Sequence, residues 1–194
     1  MKYLIALLVC LLSEAASAQR KFEKEVRIRK GELSEQVPTS ALKFVDALPF
    51  DRRIRWYREE SYTGHSFEAK TKANRRRISI EFSADGAFED IEAAISPNGV
   101  LKKEARTAME AYLKTSNGGY RIEKIQIQFS GDPELARKSF TTGVPQEGTT
   151  VRYEWVVSSK VNGEFALFEY LFDEDGAFLQ RTEIDVVPAD NIEY

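Results

Sequence analysis

Few side chains in this 194-residue sequence are of types that carry out chemistry at a defined site. His65 is the only histidine and Cys10 the only cysteine. His65 lies in the turn-like stretch Thr63-Gly64-His65-Ser66, and nothing in the sequence places a nucleophile and an orienting acid beside it, as a catalytic triad requires. We therefore expect a solvated histidine and no catalytic residue.

Carboxylates are abundant, but their local spacing does not form a known metal loop. Asp173-Glu174-Asp175-Gly176 resembles part of a calcium-binding loop, which would also need acids at positions occupied by Leu171 and Thr182. A hairpin turn is the better interpretation. We expect no metal and no cofactor, because the sequence also lacks nucleotide-binding glycine motifs and cysteine clusters. An acid pair assembled across strands, which would indicate an enzyme, has no local spacing and stays an alternative.

Basic residues concentrate in one part of the chain. Residues 52–77 hold nine Lys/Arg against three Asp/Glu, whereas residues 163–194 hold nine Asp/Glu against Arg181 alone. Arg75-Arg76-Arg77, with Lys70 and Lys72 upstream, could meet an acidic partner, a phosphate or an anionic surface, although two solvated sheet faces would give the same pattern. The net charge of −3 argues against a nucleic-acid partner.

A second candidate surface is apolar. In the strand-like run at residues 165–172, Phe168, Tyr170 and Phe172 would face a helix, which leaves Leu167 and Leu171 on the opposite face. Val156 takes the same side of the preceding strand. This far face either packs within the protein or binds a protein partner. The candidate partner-binding residues are therefore Val156, Leu167, Leu171, Arg75, Arg76 and Arg77.

The elements that position these residues repeat along the chain. FSADGAF at residues 82–88 and FDEDGAF at residues 172–178 each indicate a hairpin with an Asp-Gly turn. Each hairpin would end a unit made of one helix followed by four strands. The sequence thus predicts an α+β fold of two tandem repeats, each with one helix packed on a four-stranded antiparallel sheet.

The predicted boundaries follow from this order. Residues 1–18 form a signal peptide, residues 19–37 a charged lead-in with a short edge strand at Glu25–Arg29, residues 38–96 the first repeat and residues 97–194 the second. The second repeat contains a long loop at residues 131–149, which is rich in glycine and proline. Loops of this length are often functional or disordered.

The N-terminal residues indicate export. A positive start at Met1-Lys2 precedes the apolar run Tyr3–Leu12, and Ala16-Ser17-Ala18 is a cleavage site before Gln19. The apolar run is shorter than the roughly 20 residues that span a bilayer. We expect a periplasmic or secreted protein whose mature chain has no transmembrane segment and no cysteine.

Taken together, these motifs resemble a known family. The stretch VPTSALKFVDALP at residues 37–49, Trp56 and the two Phe-x-x-Asp-Gly hairpins resemble the PepSY-like, β-lactamase-inhibitor-like exported bacterial proteins over residues 37–187. The resemblance implies a non-enzymatic binding module that holds a protein partner through a sheet surface, and none of the family's inhibitory residues can be carried over. An envelope-associated structural protein is the alternative. The sequence leaves the partner and the oligomeric state open.

Overall fold

The protein has an α+β fold built on one large sheet. The computed structural model describes residues 19–22, 24–50, 52–97, 102–161 and 163–185. The strands are β1 (Gln19–Lys21), β2 (Lys24–Ile28), β3 (Arg55–Ser61), β4 (Gly64–Ala73), β5 (Arg76–Phe82), β6 (Phe88–Ala94), β7 (Tyr120–Gly131), β8 (Thr149–Val161), β9 (Glu164–Asp173) and β10 (Phe178–Ile184). The helices are α1 (Leu33–Gln36), α2 (Thr39–Asp46), α3 (Lys103–Ser116) and α4 (Pro133–Thr142). The predicted signal peptide lies outside the described residues.

The ten strands form a single sheet in the order β1-β10-β9-β8-β7-β6-β5-β4-β3-β2. All neighbours are antiparallel except β1 and β10, which run parallel. The element order α2-β3-β4-β5-β6 and α3-β7-β8-β9-β10 follows the predicted repeats, with α4 added between β7 and β8. The strands predicted as two separate sheets are joined, however, because β6 pairs with β7. The two-repeat description stays a prediction.

One face of the sheet is apolar and carries the helices. Alternation along the strands places Ile28, Trp56, Ala69, Ile80, Ile91, Phe129 and Val151 in one row across this face, and all of them are buried. Val45 of α2 and Met109 of α3 complete two core clusters. Phe140 of α4 packs against both clusters and therefore links the two halves of the core.

The prediction of a long loop at residues 131–149 is wrong, because helix α4 occupies more than half of this stretch. Asp132 caps the helix by accepting hydrogen bonds from the backbone N–H groups of Glu134 and Leu135, both at 3.0 Å. Pro133 occupies the first helical position, where a missing N–H costs nothing, and Gly143 ends the helix with φ 70°. The glycine and proline that indicated a loop are instead the two ends of a helix.

The predicted lead-in is also more ordered than expected. The edge strand predicted at Glu25–Arg29 is confirmed as β2, but β1 lies at the opposite edge of the same sheet. Two residues separate Lys21 from Lys24, so the Cα atoms of these lysines lie within about 11 Å of each other. The sheet must therefore curl until its edges approach. The curl is supported by Tyr62, in the turn after β3, whose hydroxyl donates to Asp185 Oδ2 beyond β10 at 2.8 Å.

The repeated Asp-Gly phrase forms matching turns. Gly86 and Gly176 have φ values of 82° and 86°, a region that favours glycine because a Cβ would clash. The backbone N–H groups of the two glycines donate to Ser83 and Asp173, respectively. The predicted hairpins at these positions are confirmed.

Candidate functional site

The sheet face opposite the helices, here called the inner face, is polar and strongly acidic. One row across it carries Arg27, Tyr57, Glu68, Glu81, Asp90, Ser130 and Thr150. The strand register adds further carboxylates to the same face: Glu25, Glu59, Glu92, Glu154 and Glu169. A surface that alternation alone predicts to be solvated therefore gathers many carboxylates, together with fewer cations.

Several of these carboxylates are buried although all the described helices pack on the other face. Glu68 is 3% exposed, Glu92 4% and Asp90 7%. Curling of the sheet accounts for this burial, because it brings side chains of the same face toward one another. Buried charges are costly unless they are paired or neutralised, so the partners of each carboxylate matter.

A first group of acids is neutralised by a lysine. Glu25, Glu59 and Glu68 have carboxylate oxygens within 4.8 Å of one another. Lys70 Nζ lies 2.6 Å from Glu25 Oε1 and 2.7 Å from Glu68 Oε2. Burial opposes the charged form of Lys70, but the two carboxylates overcome this effect and hold its pKa above the ordinary value. We call this set the lysine-paired group.

A second set, which we call the three-acid group, consists of Glu81, Asp90 and Glu92, whose oxygens also lie within 4.8 Å of one another. Two amides contact it. Gln128 Nε2 donates to Asp90 Oδ2 at 2.9 Å, and Gln126 Nε2 donates to Glu92 Oε2. Asp90 Oδ1 is buried and has no hydrogen-bond partner among the described residues. No ion pair from any described lysine or arginine reaches these three carboxylates.

The carboxylates of the three-acid group bind protons more tightly than ordinary carboxylates do. Burial, with the charge of Glu154 added, raises the pKa of Asp90 to about 7. Burial and neighbouring carboxylates raise the pKa of Glu81 and of Glu92 well above the usual range. The physical cause is shared, because each ionised carboxylate loses hydration and repels the others.

The remaining inner-face acids have lysine partners. Lys124 Nζ lies 3.3 Å from Glu154 Oε1, and Lys21 Nζ lies 3.0 Å from Glu169 Oε2. Burial nevertheless raises the pKa of Glu169, with the charge of Glu154 as the next cause. The lysines nearest the three-acid group are therefore already engaged by other carboxylates.

A basic cleft lies beside the inner face, at the edge formed by β2, β3 and β4. It has a volume of about 400 Å³ and is lined by Arg27, Arg52, Arg53, Arg55, Thr71 and Lys72. Its basic side chains are exposed, and none forms an ion pair with a described residue. Five exposed cations in one cleft, without ion pairs to the described part of the chain, create a positive potential that attracts anionic groups.

The basic cleft continues into a wider groove with an apolar floor. This groove has a volume of about 960 Å³ and shares Arg27, Arg53 and Arg55 with the basic cleft. Its apolar lining comes from Ile28, Leu33, Leu42, Ile54 and Trp56, which belong to β2, α1, α2 and the start of β3. The rim carries five cations, Arg27, Arg29, Lys30, Arg53 and Arg55, against the single acid Asp46. A partly apolar floor with such a rim is suited to a ligand that is both apolar and negatively charged.

The structure brings together the three apolar residues that the sequence singled out. Val156 lies directly opposite Glu169, and Leu167 and Leu171 are the two residues on either side of Glu169 on the same face. All three are on the inner face, but Val156 is buried and both leucines are half-buried. They lie among carboxylates rather than in an apolar patch. Their role in binding a partner stays a prediction.

The three predicted arginines lie at the turn between β4 and β5. Arg75, Arg76 and Arg77 are exposed, and Arg75 has φ 65° in the two-residue turn that it forms with Asn74. Arg77 lines a small pocket together with Arg55 and Lys72 and so extends the basic cleft around the end of the sheet. The structure separates these arginines from Val156, Leu167 and Leu171 into a different site.

Sequence reasoning missed both the three-acid group and the arginines before β3. A signal for the acids was present, because the Asp85-Gly86 turn sets a register that places Glu81 opposite Asp90. No local spacing could reveal their burial. His65 is exposed and contacts Phe67 edge-to-face at 5.5 Å, on the other face of β4 from the acids. It therefore contributes nothing to the acidic site.

Comparisons with known proteins gave one structural likeness. No protein-family model matches the sequence, and no curated protein matches it. The chain is similar to the crystal structure of a BLIP-like protein from Bacteroides fragilis, with 16% sequence identity and a TM-score of 0.46. The match covers 79% of this chain and 92% of that chain. A likeness at this TM-score carries no argument about function. Among the described residues, no helix is long and apolar enough to cross a bilayer.

Proposed function

We propose that the protein is an exported, non-enzymatic binding module that captures an acidic, amphipathic segment of a protein partner. The observation that carries the proposal is the basic cleft, where Arg27, Arg53 and Arg55 border an apolar groove without any ion pair to a described residue. Export is inferred from the sequence of residues 1–18.

Charge supports an acidic partner over a neutral one. The whole chain carries a net charge of −3, yet the basic cleft carries only cations. Such a local field steers an oppositely charged partner and raises its association rate.

The apolar floor explains why a protein segment is favoured over a small anion. Burying one large apolar side chain contributes about 1.5–3 kcal/mol. A segment that places apolar residues over the half-buried Leu42 and Ile54 would gain this energy while its carboxylates meet Arg53 and Arg55. A small anion would use only the rim of the groove.

The rest of the fold serves as a support in this proposal. In this proposal the chain consists of two repeats, in which α2 and α3 stabilise the sheet from one side. A secondary candidate surface for the same partner consists of Val156, Leu167 and Leu171. A partner would reach these residues only where the curled sheet is open. An envelope-associated structural protein stays the alternative, and the His65 region gives an enzyme no support.

The proposal is tested with two fluorescein-labelled peptides of 12 residues, one alternating Glu and Leu and the other alternating Lys and Leu. We expect fluorescence anisotropy to show binding of the acidic peptide only, weakening as salt increases. The double variant Arg53→Glu/Arg55→Glu should weaken binding about tenfold or more, since one unit charge pair is worth on the order of 1 kcal/mol in water. Lys114→Glu, on the exposed end of α3, is the control and is compared with the single variant Arg53→Glu, because each of the two changes the net charge by two units.

Three results would count against the proposal. One is equal binding of the two peptides. Another is binding that Arg53→Glu/Arg55→Glu leaves unchanged. The third is a loss in Lys114→Glu as large as that in Arg53→Glu, which would indicate net charge rather than a site. A concentration-dependent rise in mass without peptide binding would favour the structural alternative.

A further inference from the structure

The two acid clusters of the inner face have the same number of carboxylates but different partners. Each contains three carboxylates whose oxygens lie within 4.8 Å of one another. In the lysine-paired group, the ammonium of Lys70 lies between two of the carboxylates, at 2.6 and 2.7 Å. No described cationic side chain occupies the equivalent place among Glu81, Asp90 and Glu92. The charges of Lys21 and Lys124 act on Asp90 and Glu92 without an ion pair, and each of these lysines pairs with another carboxylate.

A second observation is the buried acceptor at the centre of the three-acid group. Asp90 is 7% exposed, and its Oδ1 has no hydrogen-bond partner among the described residues, whereas Oδ2 is held by Gln128. Gln126, 5% exposed, also has a buried acceptor without a partner, Oε1, while its Nε2 holds Glu92. Buried acceptors without donors are rare in native proteins and are costly unless a donor or a cation satisfies them.

The candidate ligand atoms are held by regular structure. Glu81 and Asp90 are directly paired across β5 and β6, and Glu92 follows two residues later on the same face. The Asp-Gly turn at Gly86 fixes the register of this hairpin. The three carboxylates therefore stay together through the backbone pairing of one hairpin.

We infer that Glu81, Asp90 and Glu92 form a binding site for a hard divalent cation, with Ca²⁺ as the favoured ion. The ligand set contains only oxygen, which excludes the softer ions that select cysteine or histidine. Calcium–oxygen bonds are about 2.4 Å long, so two ligands on opposite sides of the ion lie about 4.8 Å apart. Gln126 and Gln128 act as positioning residues, because their amides hold the carboxylates in place.

The site does not rest on the proposed function, because its three carboxylates line neither the basic cleft nor the groove, although Gln126 lines a small pocket together with Arg55 and Lys72 of the cleft. A cation there would offset the mutual repulsion of three carboxylates in the centre of the sheet. It would thus stabilise the curled shape of the fold, and it would do so whether or not a partner binds the cleft.

Terbium is the probe for a direct test. The purified protein is stripped with EDTA, exchanged into buffer without chelator and titrated with Tb³⁺, which occupies calcium sites and luminesces when a nearby tyrosine is excited. Tyr57 lies on the inner face two strands from Glu81, about 10 Å away. We expect saturable luminescence that Ca²⁺ displaces with a dissociation constant below about 1 mM. Calorimetry with CaCl₂ should give one ion per chain.

Variants locate the site. Asp90→Asn and Glu92→Gln should each weaken Ca²⁺ binding about tenfold or more. Glu25→Gln removes one carboxylate from the lysine-paired group and is the matched control, with binding unchanged. Tyr57→Phe should lower the terbium signal without changing the affinity measured by calorimetry. Circular dichroism checks that each variant is folded, and the half-buried Glu81→Gln replaces Asp90→Asn if the latter does not fold.

The inference is overturned if neither calorimetry nor a thermal melt detects binding of Ca²⁺, Mg²⁺ or Mn²⁺ up to about 10 mM, ten times the weak end of extracellular calcium sites. Unchanged affinity in both Asp90→Asn and Glu92→Gln would also overturn it. A loss in Glu25→Gln as large as that in Asp90→Asn would mean that cations bind the inner face diffusely and not at this group.

Discussion

Gly176, in the last hairpin turn, lies against the backbone of Ala105 in the first turns of α3. A Cβ atom built on Gly176 would be 2.9 Å from the Ala105 Cα and closer still to the Ala105 carbonyl oxygen. Gly86 is placed in the same way against the start of α2, where a Cβ would be 2.6 Å from Ser40 Oγ and 3.0 Å from Pro38 Cγ. The Phe-x-x-Asp-Gly phrase is thus a docking point between a hairpin and the helix that precedes it.

Gly86 and Gly176 have different neighbours, so two matched alanine variants should lose unequal amounts of stability. Gly86→Ala and Gly176→Ala both force alanine into positive φ, which costs about 1 kcal/mol. The neighbours of Gly86 belong to the ring of Pro38 and to the side chain of Ser40, of which only the serine hydroxyl can rotate away, whereas Gly176 meets the helix backbone itself. Overpacking should therefore add to the cost of both variants, and it should add more, about 1–3 kcal/mol, to Gly176→Ala. Urea unfolding should therefore give a lower midpoint for Gly176→Ala than for Gly86→Ala. Equal midpoints would contradict the close approach, and Gly118→Ala, with open space around it, is the control.

The acidity of the inner face predicts a dependence on charge sign at Leu171. This half-buried leucine lies directly opposite Glu154, which is 7% exposed. Leu171→Asp adds a third negative charge near Glu154 and Glu169 and should destabilise the fold by about 1–3 kcal/mol more than Leu171→Asn. Leu171→Lys should cost less than Leu171→Asp, because its ammonium can reach a carboxylate. Thermal melts of the three variants give the order.

The same variants bear on the role of Leu171 in partner binding. If Leu171→Asp melts like Leu171→Asn but no longer binds the acidic peptide, then the inner face is part of the partner surface. If Asp and Lys destabilise equally, the charge of the inner face does not govern this position and the electrostatic account is wrong.

The raised pKa of Glu169 predicts a pH effect on stability. Its carboxyl binds a proton more tightly in the folded than in the unfolded state, where the pKa is about 4.3. Below that pH the carboxyl is protonated in both states, so it does not lower the free energy of unfolding. As the pH rises through the folded-state pKa, the free energy of unfolding falls. Glu169→Gln should reduce the difference in unfolding free energy between pH 4.5 and pH 8, measured in urea with EDTA present. Glu174→Gln, at an exposed turn, is the control, and an equal reduction in both variants would contradict the prediction.

Much of the fold could be predicted because its signals are local. The alternation of Ile78, Ile80 and Phe82 identified a half-buried strand, and the Asp-Gly turns set the hairpins on each side. The α4 helix was missed because its ends, Pro133 and Gly143, are also the residues that indicate loops. Pairing of β1 with β10 had no local signal, since it joins Arg20 to a residue 163 positions later.

The candidate sites were less predictable because they depend on curvature. Alternation places Glu81, Asp90 and Glu92 on one face, but a flat sheet would leave them in water as ordinary surface acids. Only the curl of the sheet buries them. The arginines at positions 75–77 were noticed as a run in the sequence, whereas Arg27 joins Arg53 and Arg55 only through the pairing of β2 with β3.

The placement of β1 and β2 at opposite edges has a consequence for the order of folding. Whether the chain emerges from a ribosome or from an export channel, residues 19–28 come out before the strands that they join, and β1 must wait for β10 before it can pair. Pairing β1 with β10 closes a long stretch of chain, and the loop entropy that this costs is repaid only by the last contacts. The pairing of β1 with β10 should therefore form late and open first. Until it forms, both outer strands present unpaired N–H and C=O groups to other chains. The emerging chain is then most prone to aggregation just before completion, and a chaperone that holds the first strand would protect it.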